Sequence, residues 1–369
     1  MEKWIALAVV KTVWFFTYLL PVRKQKITFI SYFETKLAGS FKQIKKELEQ
    51  ADESLEMVFL IRKFQNTLSE KAKALLDFVG QTYHINTSSV VVLDGNNFPV
   101  CNMRKKKKTT VVQIWHASGG IKKFGNDIER ERYKIRNYDY VYAAGEVFRE
   151  SYASAFNVPK NKVMPLGIAK TDLLYKPSYL QSRRREMEEA YPVLKGKHVV
   201  LYAPTFRGDG AFDLSYVDLD VEALQKQLGE DTVVIYKMHP FLNQVGLHNR
   251  SHQVINGNDI GLYRLFSVAD VLISDYSAII FDFSILEKPI VLYTPDLEKY
   301  ERERGFYFDY KTLAPGPICK TEEEIVQAID GKTYDTDKVK AMKHRFFDHH
   351  DGKSAKRIAE HILAEMKGK

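Results

Sequence analysis

Cysteine is scarce in this chain of 369 residues: Cys101 and Cys319 are the only two. Two thiols cannot form a disulfide framework, and they lack the paired spacing of a zinc site, so the chain suits a reducing compartment. The Walker A loop, the kinase catalytic loop and the GxSxG, HExxH and EF-hand patterns are also absent. ATP-driven chemistry therefore has no support. No long uninterrupted apolar run exists either. Residues 5–22 form an 18-residue apolar stretch broken by Lys11, and a lysine near the centre of a spanning helix costs about 2.5–3.5 kcal/mol. The start Met1-Glu2-Lys3 lacks a basic n-region, and Pro21-Val22-Arg23-Lys24 is no small-residue cleavage site, which argues against export with cleavage.

What is present is ordinary globular material, 45% hydrophobic and 28% charged, of a length that suits two domains. The net charge of +8 is compatible with a nucleotide, a nucleic acid or a lipid headgroup as partner. Basic runs sit at residues 104–108 and 183–185; a solvated loop and a solvated helix end are the plain alternatives. The interleaved aromatic and basic motif of an RNA-recognition domain is missing, so no nucleic acid is expected as partner. Wound as a helix, the first residues place Lys3, Leu7, Lys11, Trp14 and Tyr18 on one stripe and Ile5, Val9, Val13, Phe16 and Leu20 opposite, the pattern of a helix lying in a headgroup plane with snorkelling lysines. A first helix buried on its own domain is the competing reading.

Beyond Arg23, short β-branched runs alternate with amphipathic stretches. Residues 27–33, 57–61, 90–93, 111–115 and 138–143 read as strands, and after a break 199–203, 233–237, 271–274 and 290–293 form a second set. Such alternation predicts an α/β protein with two doubly wound, Rossmann-like domains. We expect a membrane-interface helix over 1–23, a first domain over 24–170, a helical connector over 171–196, a second domain over 197–345, and a C-terminal helix over 346–369 packing back on the first domain.

In doubly wound sheets ligands sit beyond the carboxyl ends of the strands. There the chain carries His116, then Thr205 and Arg207, then Lys237 and His239, then Asp275, Tyr276 and Ser277. Arg207 has a planar fork suited to a phosphate; a surface salt bridge is the alternative. Ser277 and the amide of Ala278 open an apolar helix, either as a phosphate cradle or as a local cap. Asp282 suits ribose hydroxyls or a helix dipole. His116, followed by Ala117-Ser118-Gly119-Gly120, suits a base that takes a proton from an attacking hydroxyl, and His239 suits a donor to a phosphoryl oxygen. Together these parts support transfer of a phosphoryl-containing group.

The segments Gln113-Ile114-Trp115-His116-Ala117-Ser118-Gly119-Gly120-Ile121-Lys122-Lys123, Ala203-Pro204-Thr205-Phe206-Arg207, Lys237-Met238-His239-Pro240 and Ser274-Asp275-Tyr276-Ser277-Ala278 together resemble the CDP-glycerol glycerophosphotransferases of wall teichoic acid synthesis. The resemblance implies a GT-B-like architecture with a cleft between two domains. It implies transfer of glycerol phosphate from CDP-glycerol to the N-acetylmannosamine of an undecaprenyl-diphosphate-linked disaccharide, with release of CMP. Ala117-Ser118-Gly119-Gly120 stands where polymerases usually carry Gly-Thr-Pro, which points to the primase branch. A polymerase using CDP-glycerol or CDP-ribitol, or a GT-B glycosyltransferase using a nucleotide sugar, is the alternative. Carried over, His116 and His239 become the catalytic pair, and Thr205, Arg207, Lys237, Asp275, Tyr276, Ser277, Ala278 and Asp282 the donor site. Ser118, Lys122, Lys123, Lys3, Lys11, Trp14, Arg104, Lys105 and Lys106 fall to the acceptor and membrane side. An anionic membrane surface on the cytoplasmic face and other teichoic acid enzymes are implied as partners. No metal site is expected, and a divalent cation is left open.

Overall fold

The computed structural model describes residues 2–63, 68–129, 133–208, 215–238 and 251–368. They form two compact units: Met1–Ser118 with Lys123–Asp172 and Phe347–Lys369, and Gly119–Lys122 with Leu173–Phe346. Each is built on a six-stranded parallel sheet. The first holds β1 (Arg23–Ser31), β2 (Glu56–Ile61), β3 (Ser88–Leu93), β4 (Thr110–Gln113), β5 (Tyr140–Tyr142) and β6 (Val163–Met164), in the order β2-β1-β3-β4-β5-β6. The second holds β7 (His198–Tyr202), β8 (Thr232–Tyr236), β9 (Val254–Asn256), β10 (Val271–Ser274), β11 (Ile290–Tyr293) and β12 (Ile318–Cys319), in the order β12-β11-β10-β7-β8-β9.

Central strands of such sheets are covered on both faces and so carry near-continuous β-branched residues. Val91 lies opposite Val111, and Val200 lies between Val234 and Val271, all five buried. Sequence order reverses between β1 and β3 in one sheet and between β7 and β10 in the other. Those two reversals open the crevices where doubly wound folds hold ligands. The strands β6, β9 and β12 have no counterpart among the expected ones; each is an edge strand of two or three residues, too short to show a period.

The N-terminal helix Glu2–Thr17 packs on the helix Leu68–Thr87, burying Ala6, Val10 and Thr17. Asn86 donates to Thr17 Oγ1 at 2.7 Å. This docking differs from the stripe read off the sequence, because the neighbouring helix claims one side. Trp4, Ile5, Phe15, Phe16 and Leu19 are left exposed with Lys3 and Lys11. Trp14 is no free anchor: its indole N–H donates to Arg104 O at 2.9 Å. Lys105 pairs with Asp139 at 2.9 Å, and Lys106 donates to the carbonyls of Leu20 and Asn86. Of the basic run, Arg104, Lys107 and Lys108 stay exposed.

The stretch expected as a connector contains the helix Pro177–Ala190, which packs on Leu262–Val268 within the second unit. At the other end of the chain, Ser354–Lys367 lies on Gly39–Ala51 and sends Ile358, Ala359 and Ile362 into the core of the first unit. Its start is clasped by Asp172, which accepts from Ser354 N at 2.9 Å and Ala355 N at 2.8 Å. Gly167, at φ +90°, leaves room for the Ser354 side chain. Replacing Asp172 by Ala strands two buried amides, so stability should fall by about 1–3 kcal/mol. Thermal melting, with hydrogen exchange at Ser354 and Ala355, measures this.

Candidate active site

At the first sheet's β4, the chain ends its strand in a sharp turn. Trp115 takes φ +53°, a left-handed conformation that costs a bulky residue roughly 1–2 kcal/mol. Packing holds it there. Its ring stacks on Phe124 at 5.1 Å and meets the edge of Phe156 at 5.0 Å, while the backbone N–H of Trp115 donates to Gln113 Oε1 at 2.9 Å. The turn thrusts the next residue, His116, into the open. His116 Nδ1 lies 3.1 Å from the carbonyl oxygen of Asp94. A carbonyl only accepts, so Nδ1 carries the proton and Nε2 keeps its lone pair. The imidazole sits between the rings of Trp115 and Phe33, at 4.1 and 4.4 Å. Lys170 Nζ donates to His116 O at 2.9 Å.

Ser118, two residues on, is 1% exposed and its hydroxyl has no hydrogen-bond partner. Lys123 is exposed. Asp94, Phe33, Trp115 and Lys170 were not among the expected site residues. Asp94 follows directly after a recognisable strand, and that position is the signal that could have found it.

In the second unit, the ends of β7 and β10 meet at the order reversal. Arg207 is the hub. Its Nε and Nη2 donate to the two carboxylate oxygens of Asp296 at 2.7 and 3.1 Å, and its Nη1 donates to Asp275 Oδ2 at 2.8 Å and Thr205 O at 3.0 Å. The guanidinium also lies over the rings of Tyr276 and Tyr300, at 4.8 and 4.9 Å. Burial works against its charge, but Asp296 and Asp275 outweigh that and raise its pKa. Asp275 is itself so buried that its pKa is raised in spite of Arg207. Asp296, less enclosed, is pulled down by the guanidinium against its own desolvation. Asp275 further accepts from Thr205 N at 2.9 Å, and Tyr276 OH donates to Asp296 Oδ1 at 3.0 Å.

Arg207, for which a phosphate fork and a salt bridge were the expected alternatives, braces two loop carboxylates in this structure. Lys237 is similarly engaged, its ammonium donating to the carbonyls of Gly257, Asn258 and Ile260. Lys122, expected on the acceptor side, belongs to the second unit. Its Nζ donates to Thr205 Oγ1 at 2.9 Å and lies over Phe206, and burial pushes its pKa down to about 8. Ser277 Oγ accepts from Ile279 N at 3.5 Å, and Ala278 stands at the cap position of the six-residue helix Ile279–Ser284 with no side-chain cap bond. Asp282 accepts from Tyr263 OH at 2.9 Å. His239 lies outside the described residues. Among the described residues no group of three His, Cys, Asp or Glu side chains is placed to hold a metal ion.

Residues 12–364 match the family model described as CDP-Glycerol:Poly(glycerophosphate) glycerophosphotransferase. A teichoic acid ribitol-phosphate primase of Bacillus spizizenii is 36% identical over 93% of this chain and 92% of its own length. A teichoic acid glycerol-phosphate primase of Bacillus subtilis is 27% identical over 92% of each chain. Among solved structures, the wall teichoic acid polymerase TagF, in a histidine variant soaked with CDPG, superposes with a TM-score of 0.78 at 21% identity, covering 98% of this chain and 94% of that one. That likeness establishes the fold, the GT-B-like two-domain α/β class expected from the sequence.

Truncating Arg207 to Ala leaves the buried Asp275 and the half-buried Asp296 without their countercharge, which should cost about 3–5 kcal/mol. The expected result is a lowered melting temperature. A phosphate-binding arginine would instead weaken donor affinity at unchanged melting, so calorimetry with a CDP-alcohol beside thermal denaturation separates the two roles.

Proposed function

Because the chain belongs to the CDP-glycerol:poly(glycerophosphate) glycerophosphotransferase family and is a transferase that uses a CDP-alcohol, we propose that it adds one alditol phosphate to a lipid-linked sugar acceptor, as a primase. The observation that carries the reading is the exposed His116 imidazole, whose Nδ1 proton is held by Asp94 O so that the basic lone pair lies on Nε2. In the proposed reaction an acceptor hydroxyl oxygen attacks the phosphorus that bears the alcohol. The bond from that phosphorus to the bridging oxygen breaks, CMP departs with the electron pair, and the hydroxyl proton passes to Nε2. His239 serves the donor pyrophosphate. A positioned base of this kind contributes about 10²–10⁴-fold to rate.

The match to two primases along nearly their whole lengths supports single addition. The sequence motifs alone favour glycerol as the alcohol; the 36% identity to a ribitol-phosphate primase favours ribitol as the second reading. Incubating the protein with a synthetic prenyl-diphosphate-linked disaccharide and equal amounts of CDP-glycerol and CDP-ribitol tests both points. One added unit is expected, its mass naming the alcohol; long chains of units would refute the primase. His116→Ala should lower turnover about 10²–10⁴-fold while CDP-alcohol binding persists.

The same proposal places the chain on the cytoplasmic membrane surface. No helix among the described residues is long and apolar enough to cross a membrane. What supports a peripheral seat is the exposed face of Trp4, Phe15, Phe16 and Leu19, joined by Leu76 of the adjoining helix, which is 72% exposed. Arg104, Lys107 and Lys108 provide free cations, each worth ~1 kcal/mol near an anionic leaflet. Replacing Phe15, Phe16 and Leu19 together by Ser should abolish co-sedimentation with phosphatidylglycerol vesicles; undiminished sedimentation would refute this seat.

A further inference from the structure

The first sheet reverses its order between β1 and β3, and the residues just beyond those strands converge on His116. Phe33, two residues past β1, is a large aromatic side chain left 45% exposed. Its ring is nonetheless fixed on one side: it lies 4.4 Å from the His116 imidazole and covers Gly95, where any Cβ would strike it. Gly95 O in turn accepts from Gln113 Nε2 at 2.9 Å. The platform is thus anchored underneath, with solvent on its outer side.

Beside it stands Asp94, whose backbone already orients the imidazole. Its Oδ1 is shielded from solvent yet has no hydrogen-bond partner. A buried carboxyl oxygen without a donor is a standing cost, while Asp94 as a whole is only half-buried. Burial pushes the Asp94 pKa up to about 7; the Ser31 hydroxyl bond opposes the rise and the charge of Glu34 adds to it. Near neutral pH the group therefore interconverts between accepting from a hydroxyl and donating to one. An aromatic face adjoining a carboxyl group matches a pyranose ring, which has a C–H face and a rim of hydroxyls.

We propose that Phe33 and Asp94 form the acceptor-sugar subsite, the ring lying on Phe33 and one hydroxyl bonding the Asp94 carboxyl group while a neighbouring hydroxyl meets His116 Nε2. This rests on the reading of the chain as a CDP-alcohol transferase with a sugar acceptor. It assigns specificity for the acceptor to the carboxyl ends of β1 and β3, and it leaves donor recognition untouched.

The probe is a short-chain prenyl-diphosphate-linked disaccharide, its binding measured by calorimetry without donor and its KM measured with a saturating CDP-alcohol. Phe33→Ala and Asp94→Asn should each weaken disaccharide binding and raise its KM about tenfold or more. Phe33→Tyr, which keeps the ring, should stay near the wild type. Donor affinity and melting temperature should hold in all three. Disaccharide affinity unchanged by Phe33→Ala, or lost equally in Phe33→Tyr, overturns the subsite. Loss of donor affinity in step with acceptor affinity does so too. Wild-type binding of the disaccharide that Phe33→Ala abolishes, without transfer from any CDP-alcohol, would keep the subsite and refute the reaction.

Discussion

A parallel sheet that grows outward in both directions from its first strands leaves one place where neighbouring connections leave toward opposite sides. That gap lies at the carboxyl ends of the strands, where the ladder stops and backbone and side chains turn polar. Both sheets of this chain obey that constraint, between β1 and β3 and between β7 and β10. His116 with Asp94 and Phe33 gathers at the first, and Arg207 with Asp275 and Thr205 at the second. Everything proposed about chemistry follows from those two placements.

The two gaps solve different physical problems. In the second unit the problem is charge: Asp275 is buried, so a guanidinium must stand against it, and tyrosine faces lie at 4.8 and 4.9 Å from that guanidinium. Removing either sign would leave the other stranded. In the first unit the problem is exposure. A histidine proposed as a base must reach solvent while keeping one tautomer, and the Trp115 turn with the Asp94 carbonyl meets both demands. Rigid packing under Trp115 bears the backbone strain.

Much of this was legible beforehand. The short apolar runs located nine of the strands, because covered strands admit little else. The polar residues after those runs located His116, Arg207 and Asp275. Asp94 and Asp296 escaped notice for a simple reason: a lone acid in a loop looks the same whether it faces solvent or a guanidinium. The roles of Arg207 and Lys237 depended on partners 89 and 20 or more positions away, which no local pattern encodes. The first helix showed its amphipathic character, but which flank would be covered by Leu68–Thr87 was decided by tertiary packing.

The clasp between Asp172 and the helix Ser354–Lys367 has a consequence for how the molecule comes into being. The earlier unit takes Ile358, Ala359 and Ile362 into its core, yet translation delivers these residues only after the whole intervening unit has left the ribosome. During that interval the Gly39–Ala51 helix and the face of β3 have no cover. The nascent first half therefore waits, incomplete and sticky, for its own last segment, and the later-made half has the means to finish folding before the earlier one does.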